Sequence, residues 1–419
     1  MQRPRYYPTS VRRETGDIII VGHTGVSPAG LGTERTRDEL TLGPSPAFEP
    51  LRENWGFADA TPCNEPPDPE KLDIWDYAKV YVLSSGQLMW VDGQARAPMG
   101  GLAHVSWFQS LVFQDCPSSS EPFRWRDGVL PNPLHPAHAA GDAAHYVLHD
   151  VLGQPYDVVY LTGGVPHGED DSNACPVDAQ GNPIPILNLV EKMVVPDETA
   201  SWDQVASLRR TRFNADGVIL LNGSFWIDGG HGRDAAGNCV ERTRSELYEP
   251  PEVFGPDADT QWRLMATEQK GRGYHSVAGL LPSGQAFTAG GQDSPHTAEI
   301  FNPPYLFKTP RPVIENAPAT IEYNTPLPQN TNVGLHGSQS VDRVALLSPS
   351  SYTHTVAFDQ RYVDLRFTTI SGPSGTPPQQ IINIVGPENG FVAPPGYYLL
   401  TVIDTNDIPS VAAFVQVVQ

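Results

Sequence analysis

A β-rich run that ends in Gly or another small residue recurs five times, and this repetition limits the fold more than any other feature of the chain. The runs occupy 17–22, 87–93, 158–164, 217–223 and 284–291. Their centres are spaced by roughly 60–70 residues, longer than the ~50 of common propeller repeats. An apolar strand and a turn precede the second run at 80–86 and the fifth at 277–283. Strand, Gly-containing turn, strand, Gly-Gly is how one propeller blade reads. Five spaced copies favour a β-propeller over a plain antiparallel sandwich, and the fold class expected is all-β. The Pro- and acid-rich stretches 116–143 and 165–185 read as loops over the propeller faces, where ligands meet such folds.

After Phe301-Asn302-Pro303-Pro304 the repeats stop, and alternating β segments with turn signals follow at 341–348, 362–369 and 397–404. This pattern suits an immunoglobulin-like sandwich, so the expected domains are 1–303 and 304–419.

Composition narrows the partners. With 38 Gly and 42 Pro among 419 residues, the chain favours turns over long helices. Lys plus Arg number 27 against 48 Asp plus Glu, and the net charge of −21 repels nucleic acid. No stretch approaches the ~18 consecutive apolar residues of a membrane span, so no membrane partner is expected. Cys63, Cys116, Cys175 and Cys239 form no C-x-x-C pair, which disfavours a zinc site of that type. Two disulfides in an oxidising compartment stay open, with the pairing undetermined. The segment from Met1 to Tyr7 lacks the apolar core of a signal peptide, so the chain is expected to be cytoplasmic or to lack its true N-terminus.

Twelve histidines invite a search for a metal site. Arg272-Gly273-Tyr274-His275-Ser276 opens an expected strand, and Tyr352-Thr353-His354-Thr355 closes one. Neighbours on a strand point to opposite faces, so Tyr274 and His275 reach one metal only where the strand bends or ends. By spacing alone a structural role is favoured for each. His135, His138, His145 and His149 read as an exposed loop or short helix, with His145 and His149 on one helical face. Asp170, Asp171 and Asn173 suggest a calcium loop but lack the Gly and terminal Glu of an EF-hand, and the acidic run around Glu169 reads as solvated. No G-x-S-x-G elbow or nucleotide fingerprint appears.

Three segments taken together resemble the copper-radical oxidases, the galactose oxidases and more closely the glyoxal oxidases. They are Arg5-Tyr6-Tyr7-Pro8-Thr9, then Arg272-Gly273-Tyr274-His275-Ser276-Val277 followed by Leu280-Leu281-Pro282-Ser283-Gly284, and Thr353-His354 joined to Asp359-Gln360-Arg361-Tyr362-Val363. Ala298-Glu299-Ile300-Phe301-Asn302-Pro303-Pro304-Tyr305-Leu306 and Pro394-Pro395-Gly396-Tyr397-Tyr398-Leu399 extend the likeness. The resemblance implies a kelch-type seven-bladed propeller, incomplete at the N-terminus of this chain, followed by an early-set immunoglobulin-like domain. It implies one copper per chain, with Tyr7, Tyr274, His275 and His354 as ligands, Tyr7 as the radical tyrosine and Trp226 as the ring stacked on it. Two imidazoles with phenolate oxygen suit Cu(II). The implied reaction oxidises small aldehydes, of the glyoxal or methylglyoxal type, or primary alcohols with dioxygen, and it yields hydrogen peroxide. Tyr274 takes the substrate proton and the Tyr7 radical takes a hydrogen atom. A secreted monomer is implied.

One departure stands out. The family's radical tyrosine carries a thioether to a Cys one blade upstream, and residue 7 has no upstream Cys here. A truncated gene product, inactive as it stands, is therefore the expectation. A non-catalytic kelch-type propeller that binds carbohydrate or protein is the alternative, and a propeller glycosidase is a third reading.

Overall fold

The computed structural model describes residues 9–21, 37–41, 47–51, 79–86, 88–91, 109–112, 124–127, 138, 140–166, 175–178, 180–195, 202–291, 296–327, 330–335, 339–354, 356–376 and 378–419. Among the described residues no helix is long and apolar enough to cross a membrane.

Each repeat folds into an antiparallel sheet whose strands follow chain order. Blade 1 comprises Thr9–Arg12, Ile18–Val21, Arg37–Thr41 and Ala47–Leu51, and blade 2 Lys79–Val82, Leu88–Val91, Gln109–Val112 and Arg124–Asp127. Blade 3 has Asp142–His149, Pro155–Thr162, Val190–Val195 and Asp203–Gln204. Blade 4 is built on Phe213–Ile219, Phe225–Arg233, Arg244–Tyr248 and Arg263–Thr267, with Cys239–Glu241 paired to the far end of its second strand. Blade 5 has Ser276–Leu280, Ala286–Gly290 and Ala298–Phe301.

The element that keeps time is the turn between the first two strands. Gly16, Gly86, Gly153, Gly223 and Gly284 occupy it, with φ between 76° and 90°, and each amide donates to the carbonyl three residues earlier at 2.8–2.9 Å. Left-handed backbone of this kind favours glycine, which lacks a Cβ. The run at 217–223 is one strand out of phase with the other four: it covers the end of the first strand of blade 4, whereas 158–164 and 284–291 cover second strands. Blade 4 misleads because its first strand is itself apolar and ends on the turn glycine.

The stretch carrying His145 and His149 is a strand, Asp142–His149, which corrects the loop or helix reading. Alternation on this strand is lost because both of its faces are covered, and seven of its eight residues are buried.

The remaining strands form a sandwich. One sheet has the order Val313–Ile314, Thr331–Gly334, Gln379–Ile384, Phe367–Ser374. The other runs Tyr362–Leu365, Val341–Leu347, Gly396–Asp404, Ala413–Val418, Thr320–Glu322. Val344, Leu346, Val363, Leu365, Leu400 and Val402 fill the space between the sheets. Ala345, Leu347, Tyr362, Leu399 and Ile403, alternating with them, pack against Tyr146, Tyr160, Phe225, Tyr248 and Trp262 of the propeller. The period of two thus sends one set of side chains into each core. Tyr362 and Val363 also pair in parallel with Tyr146 and Val147, so the blade 3 sheet runs on into the sandwich as nine strands.

A short hairpin, Ser351–Thr353 with Val356–Phe358, leaves the sandwich and lies against the first strands of all five blades. It is the axle of the propeller and carries His354 at its tip.

Candidate metal centre

Tyr274, His275 and His354 come together. The Tyr274 and His275 rings stack with centroids 4.0 Å apart, and His354 stands edge-on to both, at 5.1 Å from Tyr274 and 4.4 Å from His275. Tyr274 is buried and His275 exposed, so the cluster opens to solvent on the His275 side.

The local backbone explains how adjacent residues converge. Ser276 N donates to Gly273 O at 2.9 Å, closing a turn just before the first strand of blade 5. His275 has φ 67° and His354 φ 50°, both left-handed. Left-handed backbone costs a non-glycine residue about 1–2 kcal/mol, and such strain clusters at functional sites. Thr353 Oγ1 lies 2.6 Å from His354 Nδ1 and orients the ring. Burial and the neighbouring His275 push the His354 imidazole down to about 4, so it stays neutral at physiological pH with a lone pair to offer a metal.

Both glycines around Arg272 are set by close approach. A Cβ at Gly273 would fall 1.8 Å from His231 Cε1, and one at Gly271 2.5 Å from Glu241 Cβ. Arg272 is buried: its guanidinium donates to Gly290 O at 2.9 Å and Thr297 Oγ1 at 3.1 Å. Arg212 does the same in blade 4, donating to Gly229 O at 2.8 Å and to Glu246 Oε1 at 2.9 and 3.1 Å. The two arginines clamp their blades, and Arg272 holds the chain just before Tyr274. His231, buried and packed at a tilt against Phe213 with ring centroids 5.4 Å apart, backs the same turn.

Sequence reasoning missed His231, Asp216 and Arg212, and it quoted Arg272 and Gln360 only as motif residues with no role assigned. Their signal was faint: Gly-Gly pairs at 229–230 and 290–291, and an Arg ahead of the first strands of blades 4 and 5. Ser276 Oγ donates to Asp216 Oδ2 at 2.5 Å, and burial lifts Asp216 to about 7. Burial likewise lifts Glu268 to about 9, with Asp228 beside it adding to the rise.

Tyr7 lies outside the described residues, as do Cys63, Cys116, His135, Glu169, Asp170, Asp171 and Asn173. Trp226 is buried and stacks on Phe301 at 4.8 Å and 4° in a core with Leu220, Leu247 and Tyr305. Three further histidines face acids: His138 meets Glu191 at 3.0 Å, His145 meets Asp157 at 2.7 Å, and His149 meets Glu388 at 3.0 Å. Among the described residues no group of three or more His, Cys, Asp or Glu is placed to hold a metal, so any such site needs the tyrosine. Cys175 and Cys239 form a disulfide, with Cα atoms 5.3 Å apart, that ties the loop of blade 3 to blade 4.

Residues 311–417 match the family described as galactose oxidase-like, early set domain. Among curated proteins, a galactose oxidase of Gibberella zeae is 28% identical over 208 residues, which is 48% of this chain and 29% of that protein. An aldehyde oxidase of Arabidopsis thaliana is 31% identical over 232 residues, 50% of this chain and 36% of that protein. The matched part of this chain therefore spans well under half the length of these relatives. A solved fungal alcohol oxidase in complex with copper has the same fold, with a TM-score of 0.66 at 18% identity, over 100% of this chain and 77% of that one. Domain match, relatives and fold agree in one likeness: residues 311–417 carry a galactose oxidase-like early set domain, and the chain is similar to the galactose oxidases and aldehyde oxidases of the copper-radical oxidase family.

Proposed function

We propose that this protein is a secreted copper-radical oxidase that oxidises small aldehydes of the glyoxal or methylglyoxal type, or primary alcohols, by two electrons while dioxygen is reduced to hydrogen peroxide. One observation carries the reading: a phenol and two imidazoles from separate domains, 79 residues apart, meet within 4.0–5.1 Å. Tyr274, His275 and His354 would hold the copper, with Tyr7 as the fourth ligand. Copper bound there would supply one-electron acceptance, and a donor set of imidazole nitrogen and phenolate oxygen suits it.

The chain's own residues supply the rest. Tyr274, held as the phenolate, would be the base that takes the substrate's proton. Neutral His354 and exposed His275 leave the open side of the cluster to the substrate. Tyr7, as its one-electron-oxidised phenoxyl radical, would take the hydrogen atom and return to the phenol. The Cys175–Cys239 disulfide supports an oxidising, extracellular setting. The division into a propeller, 1–303, and an early-set sandwich, 304–419, is part of the same proposal, as is a monomeric state.

A non-catalytic propeller is the second reading. It is favoured by the cysteines: Cys175 and Cys239 are bonded to each other and so cannot form a thioether to Tyr7. Peroxide release from the copper-loaded chain, assayed with glyoxal, methylglyoxal and a primary alcohol, separates the two. The oxidase reading predicts turnover that Tyr274→Phe abolishes. No turnover with any of the three, from a chain that binds copper at this site, leaves the non-catalytic reading.

A further inference from the structure

We infer that Gln360 and Asp216 are positioning residues that set the two imidazoles of the centre against each other, both measured from one dipeptide of blade 4, Asp216-Gly217. The inference rests on the copper reading above and adds a control of that site.

The hairpin that carries His354 has three residues per strand and is too short to hold a shape alone. Its register is fixed just after it, by Asp359-Gln360-Arg361-Tyr362. Each of these residues binds a different blade. Asp359, itself left-handed at φ 57°, accepts from Arg12 N of blade 1 at 2.9 Å. Arg361 donates to Val82 O of blade 2 and to Phe391 O at 2.6 Å. Tyr362 pairs with Tyr146 of blade 3.

Gln360 takes blade 4 and does more than the others. Its Oε1 accepts from Ile219 N at 2.6 Å, and its Nε2 donates to Gly217 O at 3.0 Å and to Tyr352 Oη at 2.9 Å. Tyr352 stands two residues before His354 on the hairpin. Gln360 is buried at 4% exposure, so water cannot replace these bonds. The neighbouring residue, Asp216, accepts from Ser276 Oγ at 2.5 Å, and Ser276 directly follows His275. One path therefore runs from His275 through Ser276 to Asp216-Gly217, then through Gln360 and Tyr352 to His354. Main chain and side chain of two adjacent residues fix both imidazole-bearing segments, although these come from different domains.

A metal held by both rings feels any change in their separation, whereas general packing does not depend on this path. The test is Cu(II) binding to the full chain, by isothermal titration and by electron paramagnetic resonance, in Gln360→Leu, Tyr352→Phe and the conservative Gln360→Glu. Thermal melting is recorded in parallel. Tyr352→Phe removes one hydroxyl and keeps the packing, so it serves if Gln360→Leu fails to fold. We expect at least tenfold weaker Cu(II) binding and an altered copper hyperfine coupling in Gln360→Leu, a smaller change of the same kind in Tyr352→Phe, and partial recovery in Gln360→Glu. A lowered melting point with copper affinity and spectrum unchanged in Tyr352→Phe and Gln360→Glu overturns the inference. His354→Ala is run beside them. If it too leaves copper binding unchanged, the copper reading itself fails. If it abolishes binding while the Gln360 and Tyr352 variants bind normally, only this inference fails.

Discussion

Gly273→Ala isolates the contact that backs the tyrosine of the centre. A Cβ at this position meets the His231 ring at 1.8 Å from Cε1, 2.4 Å from Nδ1 and 2.6 Å from Nε2. The ring cannot easily yield, because it is 3% exposed and packed against Phe213. Gly273 does not have the positive φ that would bar alanine, so the clash is the whole penalty. Overpacking of this kind costs about 1–3 kcal/mol. Without the clash, Gly→Ala at a compatible backbone stabilises by about 0.4–1 kcal/mol, through the unfolded chain. The substitution should therefore change sign with its neighbour: destabilising in the native background and neutral or stabilising beside His231→Ala. Urea unfolding of the two single variants and the double variant gives the coupling, expected at about 1–3 kcal/mol. Equal costs of Gly273→Ala in both backgrounds would refute the argument. Copper affinity should follow the same pattern, since the shifted segment carries Tyr274.

Three further outcomes follow from the geometry. Arg212→Met strands the Glu246 carboxylate, 0% exposed, and should destabilise by about 3–5 kcal/mol, with much of the loss recovered in the Arg212→Met, Glu246→Leu pair, as chemical unfolding will show. His149 links blade 3 to Asp364 and Glu388 of the sandwich; burial opposes its charge, but the two carboxylates raise it to about 9. Its folded value lies above the ordinary 6.5, so its contribution is complete below pH 6.5 and fades as pH rises through 9. After discounting for screening of a half-buried group this amounts to about 1–2 kcal/mol, and a stability profile from pH 6 to 10 that is identical for His149→Phe would contradict it. Replacing Cys175 and Cys239 by Ser should cost about 2–4 kcal/mol and speed amide exchange at 180–186, with the blade 5 strands unaffected.

Much of the fold was legible because propeller blades repeat. Each blade needs a left-handed turn between its first two strands, and the glycines at 16, 86, 153, 223 and 284 mark it at spacings of 70, 67, 70 and 61 residues. The sandwich was legible from turn signals rather than alternation, because segments such as Val344-Ala345-Leu346-Leu347 are buried on both faces. Tyr274, His275 and His354 were legible only as motif matches; spacing alone favoured structural roles. Their convergence depends on two left-handed residues and a hairpin delivered by the other domain, and no local pattern encodes either. Gln360 was quoted as part of a motif, but its partners lie 141 and 143 residues away. His145 was misread as loop or helix because Pro and Ala precede it, whereas its buried Asp157 partner lies on the adjacent strand.

Copper held by Tyr274, His275 and His354 is the central proposal, and Cu(II) titration of the full chain followed by electron paramagnetic resonance tests it most directly. We predict one copper per chain with hyperfine structure from two imidazole nitrogens, reduced to one nitrogen and at least tenfold weaker binding in His354→Ala. Stoichiometric binding with an identical spectrum in His275→Ala and His354→Ala would contradict it.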